Sequence, residues 1–100
     1  MSGGHFDYEQ YKIGRIADDV EQLIRSNNDK HLNEWGEPKG NHYGEETIDS
    51  FNRGLRYLEL AQIYAQRIDW LVSGDESEEN FHRRLAADIQ ELYVRLCNKE

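Results

Sequence analysis

Four histidines, one cysteine, four serines past the opening residues and several paired carboxylates are the side chains of this sequence with chemical potential. Their spacing argues against most of that chemistry. His5, His31, His42 and His82 form no His-x-x-x-His pair, the spacing that puts two imidazoles on one helix face. His42 and Glu46 would share the face where a helix begins, but two ligands do not close a coordination shell. No metal and no cofactor are expected. Cys97 falls near a helical C-terminus, where the helix dipole disfavours a thiolate. Ser26, Ser50, Ser73 and Ser77 have no nucleophile-elbow context, and no phosphate-binding Gly-rich loop occurs. Asp18-Asp19 and Glu45-Glu46 fall on polar helix faces. The sequence therefore predicts no catalytic residue, and a protein that is not an enzyme.

Binding chemistry is better represented. Aromatics, glycines and histidines gather in Ser2-Gly3-Gly4-His5-Phe6-Asp7-Tyr8 and in Trp35-Gly36-Glu37-Pro38-Lys39-Gly40-Asn41-His42-Tyr43, outside the plain helical stretches. Such segments commonly carry function on a simple scaffold. Tyr8, Tyr11 and Arg15 lie on the side of the first helix away from its aliphatic stripe, as residue types enriched at recognition surfaces. The alternative is that these rings pack under the long loop. Arg67 has Ile63, Tyr64, Trp70 and Leu71 as its helical neighbours and none is acidic, which suits an interface or a planar ligand. The candidate binding residues are thus His5, Tyr8, Tyr11, Arg15, Trp35, His42, Tyr43 and Arg67.

Three helices must position these groups. The first is predicted to start near Tyr8, capped by Asp7 with Gln10 at the capping-box spacing, and to end at Asn27-Asn28-Asp29. Ile13, Ile16, Val20, Leu23 and Ile24 form its stripe. A long loop from Asn27 to Gly44 follows, punctuated by Pro38 and glycines. The second helix is expected from about Glu45 to Ser73, with Ile48, Phe51, Leu55, Leu58, Ala61, Ala65, Ile68 and Val72 at helical steps. Ile63 and Trp70 fall on a different side. That side needs a cover, either the opening segment or a second subunit, so Ile63 and Trp70 are the expected interface of a homodimer. Gly74 suits a helix C-terminus, Asp75 or Ser77 caps the third helix, and Phe81, Leu85, Ile89, Leu92 and Leu96 form its stripe. The basic residues of that helix are expected in intrahelical pairs, Glu79 with Arg83, Arg84 with Asp88 and Glu91 with Arg95; Asp49 with Arg53 repeats the pattern. The fold class is all-α: a small three-helix bundle whose second and third helices make a long antiparallel hairpin, in one domain spanning 1–100.

Composition bounds the partners. The 100 residues carry 20 acidic and 12 basic side chains, for a net charge of -8. That sign opposes generic binding to nucleic acid or anionic lipid, and it permits an acidic surface that mimics nucleic acid. No apolar run is long enough to span a membrane, no secretory or myristoylation pattern is present, and a lone cysteine fits a cytoplasmic location.

The opening Ser2-Gly3-Gly4-His5-Phe6-Asp7-Tyr8 with Tyr11, Ile13 and Ile16-Ala17-Asp18 resembles small phage and prophage proteins of undetermined function that open the same way. Gly36-Glu37-Pro38, His42-Tyr43 and Tyr64-Ala65-Gln66-Arg67-Ile68-Asp69-Trp70-Leu71 look similar too, so the likeness covers most of the chain. It implies a phage accessory protein, with no site assignment to carry over. The resulting expectation is a non-catalytic binding protein that occupies a host protein, as in antagonism of a host defence. The alternatives are sequestration of a small anionic nucleotide-like ligand, with Arg15 or Arg67 on phosphate and Tyr8, Tyr11, Trp35 or Tyr43 stacking on a base, and acidic nucleic-acid mimicry.

Overall fold

The computed structural model describes residues 5–97. Three helices account for the regular structure, α1 (Gln10–Arg25), α2 (Glu45–Val72) and α3 (Glu78–Cys97), and no strand longer than an isolated bridge occurs among the described residues. The all-α class and the long α2–α3 hairpin follow the sequence expectation. None of the helices is long and apolar enough to cross a membrane.

The hairpin turn is built as its residues predict. Gly74 adopts φ +83, its N–H donates to the Leu71 carbonyl and that of Asp75 to the Trp70 carbonyl. This paired closure satisfies the last carbonyls of α2, and it needs a residue without a Cβ at the left-handed position. Of the two candidate caps, Ser77 is the one used: its Oγ accepts the Asn80 N–H at 3.2 Å.

The start of α1 departs from expectation. Asp7 and Tyr8 take left-handed φ values of 55 and 65, Glu9 occupies the cap position without a side-chain bond, and the helix begins at Gln10. Asp7 does not cap it and Gln10 does not close a capping box. Gln10 is instead buried, and its Nε2 donates to Gln66 Oε1 at 3.0 Å and to Asp69 Oδ2 at 3.2 Å on α2. A partner 59 positions away outcompetes the local cap, because a buried amide must find partners wherever they exist.

α1 runs antiparallel to α2, with Gln10 beside Asp69 and Asn27 beside Tyr43. At Gly14 the Gln62 side chain of α2 packs against the α1 backbone, where a Cβ would meet it at 2.7 Å. α1 and α3 each pack on α2 and leave a cleft between them. The result is a single elongated layer of helices, 55 × 29 × 17 Å. Among the described residues only Ala17, Leu55 and Leu92 are buried apolar residues, so the packed interior is thin.

Rotation of α2 is the main departure from the sequence reading. Ile63 and Trp70 are half-buried within the chain: Ile63 lines the α1–α3 cleft, and the Arg67 guanidinium lies 4.7 Å over the Trp70 ring. Ala61, Ile68 and Val72 of the expected inward stripe are exposed instead. Both faces of this helix half are apolar, so hydrophobicity alone does not choose between them. The polar residues Glu59, Gln62, Gln66, Arg67 and Asp69 do, since all face α1 or α3. Ile63 and Trp70 are therefore covered from inside, and the reason for assigning them to a dimer interface is removed.

Candidate functional site

Each odd segment is held by one buried polar residue, and the two lie at opposite ends of α1, about 24 Å apart along its 16 residues. At the first end, the Asp69 carboxylate is 3% exposed. Its Oδ1 accepts the backbone N–H of His5 and that of Phe6, the latter at 2.9 Å, while Oδ2 accepts the Gln10 amide. The Phe6 N–H, then the His5 N–H and the Gln10 amide, hold this carboxyl below the ordinary carboxylate range against the opposing effect of burial. The segment thereby turns over the end of α1, and Tyr8 stacks on Tyr11 with ring centroids 6.1 Å apart. His5, Tyr8, Tyr11 and Arg15 are exposed there. The tyrosines do not pack under the long loop, which lies at the other end. Ser2, Gly3 and Gly4 are outside the described residues.

At the second end, Asn27 is the clasp. It is 4% exposed; its Nδ2 donates to the Tyr43 carbonyl at 3.0 Å, its Oδ1 accepts the Tyr43 N–H at 2.8 Å and its carbonyl accepts the His42 N–H at 2.8 Å. Gly40 passes so close that a Cβ would meet the Ser26 and Asn27 carbonyl oxygens at 2.4 Å. Asp29 accepts the His31 N–H and bonds the His31 imidazole at 2.7 Å, which keeps its carboxyl below the usual range. His42, at φ 57, reaches the Asp29 carbonyl through Nε2. The loop is thus closed by its own hydrogen bonds.

From this clasp projects a small hairpin. Leu32 bridges Pro38, the Asn33 N–H donates to the Glu37 carbonyl at 2.8 Å, and the Lys39 N–H donates to the His31 carbonyl at 2.9 Å. At the tip, Asn33 Oδ1 accepts the N–H groups of Trp35 and Glu37, at 2.8 and 3.1 Å, and Gly36 takes φ +79. The outcome is a tryptophan 75% exposed on a turn with a fixed backbone, with Leu32 also exposed beside it. A side chain this apolar gains most from leaving water, and an ordered turn loses little entropy when it does so.

Arg67 is a structural residue. Its Nε donates to Asp88 Oδ2 at 2.7 Å and its Nη1 lies 3.5 Å from Glu76 Oε2, with 12% of the side chain exposed. Glu76, 4% exposed, also has Arg84 at 3.8 Å, and Arg95 pairs with Glu59 at 3.2 Å. The expected Arg84–Asp88 and Glu91–Arg95 pairs are thus replaced by bonds between elements. The partners of Arg67 are 9 and 21 positions away, so its immediate helical neighbours do not disclose them.

His5, His42 and Arg67 accordingly do not converge. The cleft between the three helices, about 360 Å³, is lined by Asp18, Glu59, Asp88 and Glu91 together with the basic Arg95. That lining repels phosphate. No group of three or more His, Cys, Asp or Glu among the described residues is placed to hold a metal ion. Sequence reasoning missed Gln10, Asn27, Asn33 and Asp69, the residues that fix both segments. A signal existed for two of them: Asp69 is a lone acid in Ile68-Asp69-Trp70-Leu71, and Asn33 stands three residues before a glycine in a turn composition. Comparison with protein-family models, with curated proteins and with solved structures finds no match to this chain.

Proposed function

We propose that this is a non-catalytic binding protein that works by occupying a partner protein, with the 31–39 hairpin as its contact and Trp35 as the anchor. The observation that carries this reading is Trp35 itself, three-quarters exposed on a turn whose backbone is held by Asn33. Central aromatic anchors supply much of the energy of protein interfaces. The resemblance of the opening segment to small phage and prophage proteins is what points to a host protein as the partner, a component of a host defence among them. His5, Tyr8, Tyr11 and Arg15 form a second patch at the far end. A nucleotide-like ligand is the weaker reading, since Arg67 is engaged by two carboxylates and the cleft is acidic.

The test is affinity capture from host cells with the wild-type chain and a Trp35→Ala chain as parallel baits. A host protein retained by the wild type and held at least about 30-fold more weakly by the variant is expected, as for loss of an interface anchor of about 2 kcal/mol. Equal retention by both baits would remove the hairpin from the contact, and no retention by either would end the reading.

A further inference from the structure

One face of the helical layer is uncovered, with an apolar strip along α2 at its centre and exposed apolar residues of α1 and α3 on either side. Between Tyr57 and Val72, the charged and amide side chains of α2 are all turned toward α1 or α3, as in the Gln10–Asp69, Arg67–Asp88 and Arg95–Glu59 bonds. The opposite side of α2 presents Tyr57, Ala61, Tyr64, Ile68 and Val72, spaced by three or four and every one exposed. Each residue turns a helix by about 100°. Turning α1 from Gln10 and Ala17, which face α2, brings the exposed Ile16 and Leu23 to that same side. The same construction on α3, from Leu85 and Leu92, brings Ile89 and Tyr93 there, in an apolar groove with Ala86. The acidic cleft opens on the other side.

We propose that this face is the seam of a symmetric homodimer, in which a second copy of the chain lays the same face against it. The areas support a second copy. A monomeric protein of 11.8 kDa ordinarily exposes about 5,900 Å². This chain exposes 7527 Å². The surplus of about 1,600 Å² is shared among this face, the cleft and the projecting hairpin, and it exceeds the roughly 800 Å² each partner gives up in a standard-size interface. The radius of gyration, 17.4 Å, likewise exceeds the ~13 Å of a compact chain of this length. A domain needs two packed layers around one core. With three buried apolar residues and a 17 Å thickness, one chain supplies a single layer. The apolar strip of α2 calls for a partner strip equally apolar, and in a two-fold interface each copy offers its own. This seam is separate from the Trp35 hairpin and does not depend on the proposed function.

Light scattering coupled to size exclusion at micromolar concentration tests it. The wild-type chain is expected at twice 11.8 kDa, and a Tyr64→Glu/Ile68→Glu chain at half the wild-type mass. Because the double variant can lose its fold along with its partner, a second measurement uses single cysteines in a Cys97→Ser background. A two-fold seam sets residues near its axis against their own counterparts. Ala61→Cys or Tyr64→Cys is therefore expected to form an intermolecular disulfide on oxidation, and Asp18→Cys, on the cleft side, is not. A wild-type mass of one chain overturns the proposal. So does a dimer that crosslinks through position 18 and not through 61 or 64.

Discussion

Replacing Leu92 by Ala is expected to destabilise the protein by about 3 kcal/mol, the lower part of the range for deleting a fully buried leucine. Leu92 is 1% exposed and is the sole side chain of α3 among the three buried apolar residues. Its position beside the α1–α3 cleft explains the choice of the lower figure, since water entering from the cleft can fill part of the void. Against a usual total of 5–15 kcal/mol, such a loss is a large fraction. It corresponds to a fall in Tm of roughly 12–24 °C for a chain of this size. Ala87→Ser, at an exposed position of the same helix, is expected to change stability by about 0.5 kcal/mol or less. Thermal melts at one fixed protein concentration check both, because association makes Tm depend on concentration. A Leu92→Ala melt within a few degrees of wild type would show that α3 is seated by something other than this side chain.

Asp69→Ala is expected to release residues 5–10 from α2. The substitution removes the acceptor of two backbone N–H groups at once and leaves the Gln10 amide with Gln66 as its remaining partner. Protection of the His5 and Phe6 amides from hydrogen exchange should fall by about tenfold or more, with a smaller loss in Asp69→Asn, which keeps one carbonyl oxygen. The same bond sets a pH dependence. The folded carboxyl titrates below its ordinary value of 3.8, so the stabilisation is fully present above that pH and is lost as pH falls through the lower folded value. Protection at His5 and Phe6 should thus stay level from neutrality to about pH 4 and decline below it. A decline already complete well above pH 4 would take the docking away from the Asp69 carboxylate.

The contrast between what the sequence discloses and what it conceals follows the range of the interactions. The α2–α3 hairpin was legible because Gly74 and Ser77 act on atoms within a few residues of themselves. The bounds of the long loop were legible for the same reason. The start of α1 was not, because Gln10 answers to Gln66 and Asp69 across the fold and not to its own first turn. The rotation of α2 was concealed by its composition. A helix half carrying Leu58, Ala61, Ala65 and Ile68 on one side and Ile63 and Trp70 on the other has two apolar faces. The decision rests on where its few polar side chains find partners. Arg67 shows the same limit, because its carboxylates arrive from the hairpin turn and from α3. In the candidate site, the turn composition after Asn33 was a readable signal, whereas the Asn27 clasp, whose partner Tyr43 is 16 positions away, needed the fold to be seen.

The proposed function makes the hairpin, held at one end of the layer, the contact with a partner. Hydrogen exchange on the captured complex tests that most directly, read amide by amide against the free chain. The account predicts new protection concentrated at residues 31–39, with the amides around the α1–α3 cleft unchanged. Protection confined to the cleft, at Asp18, Gln62 and Glu91, with the hairpin exchanging as in the free chain, would contradict it.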